Sequence, residues 1–271
     1  MSLNVTCKEW GLNMIDKKYS LRLLSFTAIL TVFIGWSIVS YFNLVNPLFV
    51  PSPLQLWDAF ITILENGYKG NSLLAHILDS LYRLSIALVL ALVTAIPLGL
   101  LSGYSPWVRA IFEPFIEFYR PLPPLAYYTL LVLWLGIEDS SKIALLYLGA
   151  FAPLYIAALS GVQKIPQHRI QAALSLGASK WDVFVHVIFP SSLPEIFTGI
   201  RLAIGFTYTT LVAAEMVAAT SGLGWMVLDA SKFLRSDIVI VGIIIMSVLA
   251  MILDIFVRQI ERRVLPWKGQ E

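Results

Sequence analysis

Glu113, Glu117 and Arg120 are spaced by four and three residues, which places all three on one face of an α-helix. They fall in an apolar neighbourhood, where ionisable side chains are costly and ordinarily face a cavity or a partner. Arg120 is followed by Pro121, Pro123 and Pro124. A guanidinium there offers several planar donors to an oxyanion. Glu215 stands alone in a second apolar stretch among Ala213, Ala214, Ala218 and Ala219, small residues that let helices approach closely. Two readings stay open. In one, Glu117, Arg120, Tyr127, Tyr128, Tyr208 and Glu215 line a polar pathway. In the other, Arg120 forms a structural pair with Glu117 or Glu215, and the tyrosines face lipid or the core.

Catalytic machinery does not stand out. His76, His168 and His186 are isolated and read as surface or interfacial side chains, with no His-Glu-x-x-His zinc pattern. No Gly is followed by Lys anywhere, so the phosphate-binding loop Gly-x-x-x-x-Gly-Lys-Ser/Thr is absent. No catalytic residue and no metal ligand is assigned. The single Cys7 leaves the fold independent of an internal disulfide.

The elements that position these residues follow from composition. Of 271 residues, 58% are hydrophobic and 13% charged, with a net charge of +2. Soluble domains carry about 25% charged residues, so a soluble enzyme, a disordered chain and a nucleic-acid binder are excluded. Leu23–Trp57, Leu84–Val108, Pro121–Ile137 and Ile143–Gln163 contain no Asp, Glu, Lys or Arg. Leu202–Leu228 contains only Glu215 and Ile238–Val257 only Asp254. A spanning helix needs about 20 mostly apolar residues.

The expectation is an all-α polytopic membrane protein with six spans near 23–42, 84–104, 112–136, 143–162, 199–218 and 238–257. The third span is expected to break near Arg120–Pro124, since non-helical backbone at membrane depth survives only where protein or a cavity covers it. Pro51–Asn66 is amphipathic and suited to the outer surface. With both termini in the cytoplasm, 13 of the 19 Lys and Arg lie on the inner side, as the positive-inside rule requires.

The longest inner loop, 163–198, carries the most informative pattern. Gln171-Ala172-Ala173-Leu174-Ser175-Leu176 is expected to form a short helix stopped by Gly177. Ala178-Ser179-Lys180 then starts a second helix with Ser179 as its N-cap, ending before Pro190. Such a short helix can seat in a groove of another protein.

Gln171-Ala172-Ala173, three residues, Gly177, nine residues, then Val187-Ile188-Phe189-Pro190 resembles the Glu-Ala-Ala…Gly…Ile-x-Leu-Pro signature of bacterial ABC importer permeases. Gln replaces Glu, Val replaces Ile and Phe replaces Leu. Tyr119-Arg120-Pro121-Leu122-Pro123-Pro124-Leu125-Ala126, Leu135-Gly136-Ile137 with Ser141-Lys142, and Leu211-Val212-Ala213-Ala214-Glu215 through Gly222-Leu223-Gly224 look like the taurine, aliphatic sulfonate and nitrate permease group. The resemblance covers roughly residues 45–268 and is nearest to its taurine permeases.

The resemblance implies a type I ABC importer permease fold in the bacterial inner membrane. It divides the chain into a cytoplasmic tail (1–22), a first span with an outer segment (23–80), a transport domain (81–262) and a C-terminal tail (263–271). It implies a homodimer, two ATPase subunits docked on Gln171–Lys180, and a soluble or lipid-anchored binding protein outside. ATP and Mg would sit on the ATPase chains, with no cofactor on this one. Arg120 would suit a sulfonate or nitrate. An ion-coupled secondary transporter, with Glu215 and Asp254 as proton relays, and a membrane enzyme are the rival classes. The first predicts inverted repeats, which the sequence lacks.

Overall fold

The computed structural model describes residues 21–267, apart from Arg22, Ile29, Asn43 and Pro47. The expected tail 1–22 lies outside the described residues except for Leu21, as does the end of the tail 263–271. The described residues form an all-helical bundle: α1 (Leu23–Tyr41), α2 (Pro53–Asn66), α3 (Leu73–Tyr104), α4 (Pro106–Tyr119), α5 (Pro124–Leu135), α6 (Asp139–Gln163), α7 (Gln167–Ser175), α8 (Lys180–Val183), α9 (Phe189–Ala218), α10 (Leu223–Lys232) and α11 (Ser236–Val264).

Among the described residues, five helical segments are long and apolar enough to cross a membrane: α1, α3, α6, the run from α8 through α9, and α11. The remaining expected span, 112–136, is two helices in tandem. α4 has 14 residues and α5 has 12, rises of about 21 and 18 Å. Neither alone matches a hydrocarbon core of about 30 Å, but together they exceed it. The break covers Arg120–Pro123, where the sequence places it. Pro123 and Pro124 cannot donate backbone hydrogen bonds, and Pro124 instead opens α5 at a position where no donor is needed.

α3, α6 and α9 form the centre. Gly99 and Gly103 let α3 press on α6: a Cβ at Gly99 would meet the Tyr155 carbonyl oxygen at 2.5 Å and the Ala158 Cβ at 2.7 Å. Ala87, Ala91, Ala95, Ala150, Ala158 and Ala203 are fully buried along the same contacts. Small residues allow this approach where lipid leaves little hydrophobic drive between helices. α2 is a capped helix: Ser52 accepts from Gln55 N, while the Gln55 side chain accepts from Ser52 N at 2.8 Å. It buries Leu56, Ala59 and Ile63 and packs against α11 and α3.

One expected boundary fails. The helix begun at Ser179 does not end before Pro190. It continues through a π-helical turn, Phe184–Ile188, into α9. Phe189 N donates to Phe184 O across this wider turn, so α8, the π turn and α9 are one continuous helical run, Lys180–Ala218.

Candidate functional site

α7 and α8 form a helical hairpin standing off the end of the bundle. No residue of α7 is buried. Gly177 adopts φ +89°, the left-handed conformation that favours glycine. The Gly177 N–H donates to Leu174 O at 3.0 Å, and the Ala178 N–H to Ala173 O at 3.1 Å, a Schellman closure. Ser179 caps α8: its hydroxyl accepts from Asp182 N at 3.2 Å, and the Asp182 carboxylate accepts from Ser179 N at 3.1 Å.

Inward-facing side chains anchor the hairpin. Ile170, Ala173, Ala178, Phe184 and Val187 pack on Leu100, Val162, Val183, Ile188 and Ile196. The opposite face leaves Gln171, Ala172, Leu174, Leu176, Lys180 and Trp181 exposed, with Leu176 at 89%. Ser175 is also exposed, as is Phe189 beyond the π turn, whereas Pro190 is half-buried. Large apolar side chains are thus held outward on a braced scaffold, the type of exposed patch that serves protein or membrane contacts.

The break between α4 and α5 opens a cleft of about 490 Å³ against α6 and α9. Arg120 and Tyr127 line it together with Tyr119, Gly149 and Phe206. At the end nearest the hairpin, Lys164 Nζ meets Glu195 Oε1 at 2.6 Å. Arg120 lies near the middle of the tandem helices α4 and α5. It is exposed and forms no ion pair among the described residues. Glu113 is held instead by Arg109, at 2.7 and 2.8 Å, and Glu117 is exposed on α4.

The other three candidate pathway residues lie elsewhere. Tyr128 is fully buried and donates to Ala214 O at 3.4 Å. Tyr208 is buried and donates to Met246 O at 2.8 Å. Both brace the packing between helices, as a buried phenol must find an acceptor. Glu215, 1% exposed, pairs with Arg83 rather than Arg120: Arg83 Nη1 donates to Glu215 Oε1 at 2.8 Å. Ser80 Oγ donates to the same oxygen at 2.7 Å, and Gly224 N donates to Glu215 Oε2 at 2.8 Å.

This network sits at the end of the bundle opposite the hairpin. Arg83 Nε also donates to Asp139 Oδ1 at 2.7 Å, and its Nη1 to Ser221 O at 2.9 Å. Lys142 Nζ donates to the Ile137 and Glu138 carbonyls. His76 is fully buried, not superficial: its Nδ1 accepts from Gly222 N at 3.1 Å, and its Nε2 faces Tyr68 O at 3.3 Å. Tyr68 in turn donates to Asp229 at 2.9 Å; burial and this bond push its phenol up to about 12. Arg83, Ser80 and His76 are the residues that sequence reasoning missed. Their spacing of three and four at the start of an apolar run is the available signal, since it aligns them on one face of α3.

Residues 95–266 match the family model described as binding-protein-dependent transport system inner membrane component. The sequence is 44% identical over 257 residues to the taurine transport system permease protein TauC of Escherichia coli (strain K12), covering 94% of this chain and 92% of that one. It is 30% identical over 222 residues to the nitrate import permease protein NrtB of Synechocystis, covering 80% of this chain and 81% of the relative.

Proposed function

The chain belongs to the family of binding-protein-dependent transport system inner membrane components, and on that premise we propose that it is the permease subunit of an ATP-binding-cassette importer for taurine or a closely related sulfonate. The near full-length likeness to a taurine permease carries the substrate class. Arg120 fits it chemically: an exposed guanidinium beside the cleft, free of ion pairs among the described residues, can donate to sulfonate oxygens.

In this reading two copies pair to form the pathway, with both termini in the cytoplasm. Two ATPase subunits, which hold ATP and Mg, take the hairpin from Gln171 to Lys180 into a groove, with Leu174, Leu176 and Trp181 as apolar contacts. A binding protein delivers substrate from the opposite side. ATP binding draws the two ATPase subunits together and moves the hairpins with them. The π turn makes the hairpin continuous with α9, so that motion reaches the cleft without a flexible joint. ATP and the loaded binding protein each favour one of two global states, which is what couples them.

The test is ATP-driven uptake by the reconstituted complex of permease, ATPase and binding protein. Taurine uptake that requires all three supports the assignment. Nitrate uptake in preference to taurine would favour a small-anion importer, the reading that the nitrate relative supports. Uptake driven by an ion gradient without the ATPase would overturn both.

A further inference from the structure

The hairpin end of α11 carries a second cluster of charge that the transport reading leaves unused. Arg201 of α9 faces Asp254 and Glu261 of α11, with Nε to Asp254 Oδ1 at 3.4 Å and Nη1 to Glu261 Oε2 at 3.9 Å. Arg258 Nε donates to Asp254 Oδ2 at 2.7 Å. Arg262 is exposed and forms no ion pair among the described residues. Arg201, Arg258, Glu261, Arg262, Leu265 and Pro266 enclose a pocket of about 410 Å³. Three guanidiniums thus meet two carboxylates, leaving an excess of positive charge at the pocket.

The pocket continues an apolar stripe. Met251, Ile255, Arg258 and Arg262 follow steps of four, three and four, so they form one row along α11. Met251 and Ile255 are exposed, as is Leu202 beside Arg201. Only three residues, a rise of about 4.5 Å, separate the apolar part of the row from its first arginine. Acyl chains lying on Met251 and Ile255 would bring a headgroup to Arg258 and Arg262. The Arg201–Asp254 contact ties this pocket to the hairpin half of α9, whose thirteenth residue is Arg201.

We propose that the Arg201–Arg258–Arg262 pocket binds the phosphodiester headgroup of an anionic phospholipid, with the lipid's chains along Met251 and Ile255. Guanidiniums suit the ligand because their forked donors match two phosphate oxygens at once. Basic pockets between spanning helices are a recurrent answer to anionic headgroups.

The test is native mass spectrometry of the full-length permease with phosphatidylglycerol or phosphatidylcholine added at equal concentration. The wild type should retain phosphatidylglycerol in preference. Arg258→Gln with Arg262→Gln should weaken that retention about 30-fold, from the attraction usual for one arginine at an anionic surface counted twice. Arg263→Gln removes the same charge one step off the row and should leave retention unchanged. If the double variant does not fold, Arg262→Gln alone, whose side chain has no ion pair to lose among the described residues, should weaken retention about fivefold. Equal retention of the two lipids, or an Arg263→Gln loss as large as that of the double variant, would overturn the proposal. Displacement by millimolar inorganic phosphate would also overturn it, by making the pocket a site for free anions.

Discussion

Removing one member of the Arg83–Glu215 pair has a cost that can be worked from its surroundings. Both Glu215 oxygens are engaged: Oε1 accepts from Ser80 and Arg83, and Oε2 from Gly224 N. Breaking a buried pair by deleting one partner costs about 3–5 kcal/mol, because the other charge stays behind. The two deletions differ. After Glu215→Ala, Arg83 keeps Asp139, whose side chain is 45% exposed and still solvated, so the cost falls near 3 kcal/mol. After Arg83→Ala, the buried carboxylate keeps only neutral donors, so the cost approaches 5 kcal/mol. The double variant removes both charges and should cost less than the sum by about 2 kcal/mol. Glu215→Gln should not be silent either: either amide orientation sets an NH₂ group against an existing donor, a penalty of about 1–3 kcal/mol. Unfolding in mixed micelles, followed by tryptophan fluorescence, measures all four variants. Additivity within about 0.5 kcal/mol, or Glu215→Ala costing more than Arg83→Ala, would refute this account of the network.

Gly177→Arg should leave the bundle folded, since a Cβ there meets nothing within 4 Å, but its φ of +89° opposes any side chain. Loss of ATPase co-purification and of ATP-driven uptake is the expected result. Arg120→Gln should lower taurine uptake several-fold while the complex still assembles, because Arg120 has no ion pair to lose among the described residues; failure of assembly would instead assign it a structural role. Gly99→Val should sharply reduce the yield of folded protein on size-exclusion chromatography, since its side chain would meet the α6 backbone. The Tyr68 phenol, held at about 12 when folded against an ordinary value near 10, binds its proton more tightly in the folded state. That contribution is intact below pH 10 and is lost as pH rises from 10 to 12. Tyr68→Phe should flatten this part of the stability profile.

The spans were legible because uncharged runs of 20 residues leave few alternatives in a chain this apolar. The broken third span was legible from Pro121, Pro123 and Pro124, and the hairpin from the spacing of Ala172, Ala173, Gly177 and Ser179. Gly177 and Ser179 act locally, so their roles need no knowledge of distant contacts. The partner of Glu215 was not legible: Arg83 lies 132 positions away, and only the packing of α3 on α6 and α9 brings the two together. Tyr127 and Tyr128 were inseparable by sequence, because α5 is apolar all round and no polar face marks its orientation. The continuation past Pro190 was missed because a π turn joins α8 to α9 where a proline usually marks the end of a helix.

The Arg83–Glu215 network also answers a problem of register. An apolar helix can slide one turn, about 5.4 Å, along its neighbours in lipid and exchange one set of leucines for another at little cost. A carboxylate on α9 with partners on both α3 and α10 admits no such shift, because a one-turn slip would part it from Ser80, Arg83 and Gly224 together. Charge buried in this bundle therefore acts as an index mark, fixing the vertical alignment of helices that their greasy surfaces alone would leave degenerate. A pair of cysteines at Ser80 and Leu223, whose parent residues share a hydrogen bond of 3.0 Å, would report it by cross-linking in one register only.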